Sequence, residues 1–421
     1  VETLTLEDCL RIGIDNNLSL ESKRREIQKS KYGVSENRAR LLPQISAVAG
    51  YSNNFDPPVS VTDGSSYGVP YNITKTLQHS ANAGLEMQMP LFNQTLYTSM
   101  SIAKVMEEIS RLSYGKARED VILQISKMYY LGQVTAEQIM LIKANIIRLE
   151  ELRDITQAFF DNGMSMEVDL KRVNINLENL KVQYDNAQAM MKQQLNMLKY
   201  IMDYPAEKEI ALTPVNTDSI TTVALTGLSE NIYELQLSQS QVQLAERQKK
   251  IITNGYIPSL SLTGSWRYAA YTDKGYHWFH SGPSNQWFRS YGVGLTLRIP
   301  IFDGLDKTYK IKKAMIDIEN KRLAWEDARK NLQTQYLNAV NDLMNNQRNF
   351  KKQKDNYLLA EDVYAVTSDR YREGIASMTE VLQDEMQMSE AQNNYISAHY
   401  NYRVTNLMLL KLTGQIESLV K

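Results

Sequence analysis

The run Ser259-Leu260-Ser261-Leu262-Thr263-Gly264-Ser265-Trp266-Arg267-Tyr268 alternates without a break. Leu260, Leu262, Trp266 and Tyr268 fall on one side, and Ser259, Ser261, Thr263, Ser265 and Arg267 on the other. A second run answers it, with Tyr291, Val293, Leu295, Leu297 and Ile299 set against Ser290, Thr296 and Arg298. Strict period-two alternation in both limbs predicts a β-hairpin with one apolar and one polar face. Ring side chains crowd the connection at Tyr276, Trp278, Phe279, Trp287 and Phe288. An apolar face, a polar face and an aromatic edge together describe a piece of transmembrane β-barrel whose polar face lines a lumen.

A matching hairpin lies nearer the start. Ile45, Ala47, Ala49 and Tyr51 alternate with Gln44, Ser46 and Ser52 after Pro43, and Ala83, Leu85, Met87 and Met89 alternate with Asn82, Glu86 and Gln88 before Pro90. Residues 53–76, with Asp56-Pro57-Pro58, Gly64, Gly68 and Pro70, read as a long loop. Both hairpins sit inside a larger duplication. Pro43 corresponds to Pro258, Pro90-Leu91-Phe92 to Pro300-Ile301-Phe302, and Phe160-Asp161-Asn162-Gly163 to Tyr371-Arg372-Glu373-Gly374, all near one offset. The expected first repeat is residues 1–205, with a helix, a hairpin at about 44–91, a long helix at about 93–161 and a helix at about 166–202. The second is residues 206–421, with a helix, a hairpin at about 258–301, a long helix at about 303–371 and a helix at about 376–413.

Composition supports long, uninterrupted elements. Among 421 residues only 19 are glycine and 10 proline. The stretch from Asn93 to Asp161 has no proline, and as one helix it would extend roughly 100 Å. Charge is balanced at 47 basic against 48 acidic residues, which gives no nucleic-acid signature. Tyrosine outnumbers phenylalanine 25 to 8, a bias suited to wet or interfacial surfaces. No apolar run reaches the roughly 20 residues of a membrane helix, so any crossing must be made by strands. No signal peptide is visible, and the start at Val1 fits a processed or trimmed chain. The single cysteine, Cys9, reads as a small buried residue in an amphipathic helix start.

Four strands cannot close a membrane barrel, since the smallest use about eight and an open edge in lipid leaves backbone groups unpaired. Helices of nearly 70 residues likewise need neighbours along their length. Several copies of the chain are therefore expected to share one barrel. The expected fold class is mainly α with a transmembrane β portion, built from a duplicated half-protein.

These residues resemble the TolC-type outer-membrane efflux proteins over essentially the whole chain. The resemblance rests on Leu4-Thr5-Leu6-Glu7-Asp8-Cys9-Leu10 with Asn16-Asn17, on Leu41-Leu42-Pro43-Gln44-Ile45, and on the strand exits Met89-Pro90-Leu91-Phe92 and Ile299-Pro300-Ile301-Phe302-Asp303-Gly304. The two glycine turns, with Glu380-Val381-Leu382 after the second, complete it. The family implies a homotrimer with a trimeric 12-stranded β-barrel continuous with a long periplasmic α-helical barrel. It implies an outer-membrane location in a Gram-negative bacterium, with outer-membrane lipid around the barrel. It also implies a passive exit duct, joined through a periplasmic adaptor protein to an inner-membrane transporter.

The same resemblance assigns candidate sites. Gly163, Met164, Ser165 and Met166, with Gly374, Ile375, Ala376 and Ser377, form the expected adaptor-docking tip. Glu380 matches the family's first acidic pore position, while Gln383 departs from the second; Asp384 and Asp169 are the neighbouring acidic candidates for the pore constriction. Tyr371 matches a tyrosine that helps latch the closed state, but Ala376 lacks the usual latch arginine. Trp266, Tyr268, Trp278, Trp287 and Tyr291 are the expected aromatic girdle. No phosphate loop, zinc spacing or nucleophile elbow occurs, so neither catalysis, metal nor cofactor is expected. His277 and His280 read as loop residues and His399 as packing. The rival readings are a coiled-coil adhesin or helical scaffold without a pore and, more remotely, a periplasmic hydrolase with a helical domain.

Overall fold

The computed structural model describes residues 2–214, 227–273 and 286–420. In chain order the elements are β1 (Glu2–Leu4), α1 (Leu6–Asn16), α2 (Leu18–Ala39), β2 (Gln44–Asn53), β3 (Val59–Asp63), β4 (Tyr71–Lys75), β5 (His79–Phe92), α3 (Gln94–Asp161) and α4 (Glu167–Met202). There follow β6 (Ile210–Leu212), α5 (Tyr233–Asn254), β7 (Ser259–Thr272), β8 (Trp287–Arg298), α6 (Asp306–Arg372) and α7 (Met378–Leu412). Packing divides the chain into two units that cut across the sequence repeat, since each draws on both halves. No helix among the described residues is long and apolar enough to cross a membrane.

The first unit, residues 1–27, 109–239 and 322–421, is mainly helical and also holds β1 and β6. Helix α1 starts on a capping box, in which the Thr5 hydroxyl accepts from Asp8 N–H at 3.1 Å and the Asp8 carboxylate accepts from Thr5 N–H at 3.1 Å. Such a cap contributes about 1 kcal/mol. Asn16-Asn17 interrupts the helix as the sequence suggests, and the Asn17 side chain caps the next helix by accepting from Leu20 N–H. Leu10, Ile122, Ile125, Tyr129, Leu198 and Met202 bring α1, α3 and α4 together in one apolar core. Cys9 belongs to it and is fully buried, and burial pushes its thiol up to about 12. A second core joins Leu149 and Leu152 of α3, Val173 and Leu177 of α4, Tyr364 and Tyr371 of α6, and Val381 and Met388 of α7.

The second unit, residues 28–108 and 240–321, carries the sheet. Its strands run β2-β5-β7-β8, all antiparallel neighbours. Leu260 lies opposite Leu297, Leu262 opposite Leu295 and Trp266 opposite Tyr291, so alternation in sequence becomes one shared apolar face. The register extends that face to Leu85 opposite Trp266, and to Ile45 opposite Met87. β2 and β8 are the outer strands, each with one edge unpaired among the described residues.

Three sequence expectations are revised. The region read as a long loop contains the antiparallel pair β3–β4 with Val61 opposite Ile73. Its alternation is only five residues per limb and is flanked by strong proline and glycine loop signals. The segment after Pro205 contains β6, which pairs in parallel with β1 through Glu2–Ile210 and Leu4–Leu212. Three-residue strands carry no periodicity to read. Helix α6 starts at Asp306 rather than about 303, because Gly304 and Leu305 both adopt positive φ.

Candidate functional site

The sheet and the glycine turns are the two places where the candidate residues gather. On the sheet, Trp266, Tyr268, Trp287 and Tyr291 all occupy the apolar face by register parity, because Tyr268 lies opposite Arg289 and Ala270 opposite Trp287. Trp266 and Tyr268 meet edge to face with centroids 5.6 Å apart. Trp278 lies outside the described residues, as do Tyr276, His277, Phe279 and His280. The opposite face carries Gln44, Ser46, Glu86, Gln88, Thr263 and Arg267, lining an open hollow of about 720 Å³. A cross-strand ion pair on this face, Arg267 with Glu86, joins β7 to β5.

The glycine turns are built alike. At the first, Gly163 N–H bonds Phe160 C=O at 2.9 Å and Met164 N–H bonds Phe159 C=O at 2.8 Å. At the second, Gly374 N–H bonds Tyr371 C=O at 2.9 Å and Ile375 N–H bonds Arg370 C=O at 2.8 Å. Both are Schellman closures, which require a left-handed residue. Gly163 has φ 77° and Gly374 φ 75°, a conformation glycine adopts without steric cost. Beyond them Met164 (67% exposed), Met166 (68%) and Ile375 (62%) stand in solvent, while Ser165 and Ala376 are half-buried. These three apolar side chains are left bare on the two turns.

The acidic candidates separate by environment. Ser377 opens α7 with a capping box: its hydroxyl accepts from Glu380 N–H at 3.3 Å, and Glu380 Oε2 accepts from Ser377 N–H at 2.9 Å. Glu380 is exposed, but one of its oxygens is engaged in holding its own helix start. Gln383 is exposed and Asp384 half-buried. Asp169 is half-buried and pairs with Arg172 at 3.3 Å. Arg172 also donates to Thr379 at 3.4 Å, so it bridges the starts of α4 and α7.

Tyr371 is 6% exposed, stacks at a tilt on Phe159 with centroids 5.6 Å apart, and donates its hydroxyl to Thr156 at 3.3 Å. Within the chain it therefore ties the end of α6 to the end of α3. His399 is fully buried among Phe350 and Tyr395. Its Nε2 accepts from Arg403 Nε at 2.9 Å, which leaves the ring proton on Nδ1, facing Glu137 Oε2 at 3.4 Å. Among the described residues no cluster of histidine, cysteine or carboxylate has metal-binding geometry.

Sequence reasoning missed Arg172, Thr156 and the cap role of Glu380. The last was visible, because Ser377-Met378-Thr379-Glu380 is the Ser-x-x-Glu signature of a capping box. Arg172 and Thr156 act across helices more than 200 residues apart, and no local pattern announces them.

Comparison with known proteins gives one consistent answer. The sequence model of the family described as Outer membrane efflux protein matches residues 12–202 and again 224–415. Outer membrane protein TolC of Vibrio cholerae is 20% identical over 91% of this chain and 84% of its own length. The probable efflux pump outer membrane protein TtgC of Pseudomonas putida is 21% identical over 97% of this chain and 82% of its own. Among solved structures, the fold matches CusC, described as forming a transmembrane channel, with TM-score 0.80 at 16% identity over 97% of this chain and 91% of that one. It also matches the outer membrane protein VceC of Vibrio cholerae, with TM-score 0.76 at 14% identity over 97% and 96%. A family match over two consecutive halves, together with this fold, shows that the chain belongs to the outer membrane efflux protein family of TolC type, outer-membrane channels with a large periplasmic helical part.

Proposed function

We propose that three copies of this chain close one barrel and act as a passive exit duct, driven by an inner-membrane transporter through a periplasmic adaptor. The observation that carries this reading is the four-stranded sheet with an apolar face, a polar face and two outer edges unpaired among the described residues. An edge left open in lipid would strand its N–H and C=O groups at several kcal/mol each. Three copies supply twelve strands, enough to close, with the polar face turned to a lumen. Trp266, Tyr268, Trp287 and Tyr291 would then anchor the barrel at the membrane–water boundary. The repeats divide the chain at residues 205 and 206.

In the helical unit, the bare Met164, Met166 and Ile375 beside the two glycine turns suit docking of an adaptor. Threefold symmetry would gather Glu380, and behind it Gln383, Asp384 and Asp169, around the axis. Tyr371, held to Thr156, would latch the helix ends until the pairs rearrange about Gly163 and Gly374. Planar-bilayer recording tests the reading. The protein should give discrete conductance steps, and Glu380→Ala should alter cation block or selectivity. A protein that forms no channel would overturn the duct, and an unchanged current–voltage response in Glu380→Ala would remove Glu380 from the constriction.

A further inference from the structure

In the helical unit a small cavity of about 70 Å³ lies among α3, α5, α6 and α7, lined by Lys116, Glu119, Glu234, Leu332 and Lys411 among others. The charged groups around it fall into pairs. Lys116 of α3 reaches Glu234 of α5 at 3.1 Å, Lys411 of α7 pairs with Asp120 of α3, and Arg118 of α3 reaches Glu417, beyond the end of α7, at 3.0 Å. Among the described residues, three cations at this junction thus serve three carboxylates, and Glu119 is a fourth carboxyl left over. It is 5% exposed and makes no hydrogen bond or ion pair with another described residue.

A buried carboxyl without a partner is costly to ionise, so it holds its proton until the pH is high enough to remove it. Burial pushes the Glu119 carboxyl up to about 7, with Lys411 opposing the rise and Glu417 and Asp120 adding to it. Tyr233 of α5 is also close enough to feel the charge of Glu119. Once ionised, Glu119 needs a cation, and every cation at the junction is already committed elsewhere.

We infer that Glu119 is a proton-operated switch for the ion pair that ties α7 to α3. With Glu119 protonated, Lys411 stays with Asp120, the arrangement in the structure. When Glu119 ionises, Lys411 turns inward to it and leaves Asp120, already 40% exposed, to water. The exchange needs little backbone movement, because Asp120 directly follows Glu119 in α3 and Lys411 already lines the cavity. Its ammonium rides on a flexible four-carbon stem and can swing between adjacent carboxylates. A cavity of this size has room for the incoming ammonium or for about two waters. Lys116 is the poorer choice, since drawing it inward would release Glu234 and untie α5 from α3. Because the large helical part of this family is periplasmic, the anchor of α7 then answers to the pH of that compartment.

Double-mutant cycles read from the thermal midpoint of the purified full-length protein test the switch at about pH 5.5 and about pH 8.5. The cycle of Glu119→Gln with Lys411→Met should show no coupling at the lower pH and a coupling of a few degrees at the higher. The cycle of Asp120→Asn with Lys411→Met should show the reverse order. Coupling between Glu119 and Lys411 that is equal at the two pH values, or absent from both, would overturn the switch. Acylation of Lys411 by an N-hydroxysuccinimide ester, mapped by mass spectrometry against the exposed Lys192, gives a second measurement that needs no variant to fold. The Lys411-to-Lys192 ratio should fall severalfold between about pH 6 and about pH 8.5 as the ammonium turns inward. A ratio that stays level or rises would overturn the exchange.

Discussion

The two long helices share one plan and are buried very differently. α3 and α6 run 68 and 67 residues, and both end on glycine turns of the same geometry. Yet α3 buries Ile122, Ile125, Tyr129, Leu149 and Leu152 almost completely, whereas α6 leaves Tyr309, Ile316, Leu323, Leu337, Met344 and Leu358 about half exposed or more. Those six positions are all separated by multiples of seven residues, the spacing of a seam between helices. α3 thus gives more of its apolar length to the core of its own chain, although Met106, Met140 and Ile147 stay exposed on it, while α6 buries Leu332, Leu343, Tyr364 and Tyr371 and keeps that stripe uncovered. Duplication supplied two equivalent helices, and the two differ in how much of their apolar surface this chain covers.

That difference can be tested at Glu119 and at Lys330, which stands at the equivalent position 211 residues on. Glu119 is buried in α3, and burial raises its carboxyl to about 7, with Glu417 and Asp120 adding to the rise and Lys411 opposing it. Lys116 and Glu234 share the same small cavity. A raised folded-state value means that the folded protein holds the proton more tightly than the unfolded one. The associated stability is present below about pH 4.5 and is lost as pH rises through about 7. Glu119→Gln should therefore raise the thermal midpoint at pH 8, by an amount worth on the order of 1–3 kcal/mol, and leave it nearly unchanged at pH 4. Lys330→Gln on the exposed border should change little at either pH. Equal effects at the two sites would erase the distinction between core and border.

A smaller effect separates the helices that follow the turns. α7 begins with the Ser377–Glu380 capping box, while α4 begins at Met166 with no side-chain cap. Ser377→Ala should cost about 1 kcal/mol, and Met166→Ser should gain a comparable or smaller amount, both read from thermal unfolding. If Met166→Ser stabilises but also weakens capture of the adaptor, the missing cap is explained by a methionine kept for contact.

Much of this architecture is legible in the sequence, for physical reasons that also set its limits. The β7 and β8 alternation fixes a two-faced hairpin because strand side chains strictly alternate, and Gly163 and Gly374 mark turns because few other residues tolerate their φ. The β1–β6 pair was hidden, being three residues long and joined across more than 200 positions. Tyr371 was singled out, but its partner Thr156 lies on another helix, and nothing local points to it. Glu380 attracted notice as an acidic residue near a turn, while its bond to Ser377 shows how a single carboxylate can cap its own helix. Glu119 drew none, because the side chains around it, Glu234 of α5, Leu332 of α6 and Lys411 of α7, lie more than 110 residues away in sequence.

The central claim is that the open sheet is completed by other copies of the same chain. The most direct measurement is the mass of the detergent-solubilised protein by native mass spectrometry or light scattering corrected for detergent. The expected result is a single species at three times the 48.3 kDa chain mass. A protein that stays at one chain mass while retaining its helical content would contradict the shared barrel.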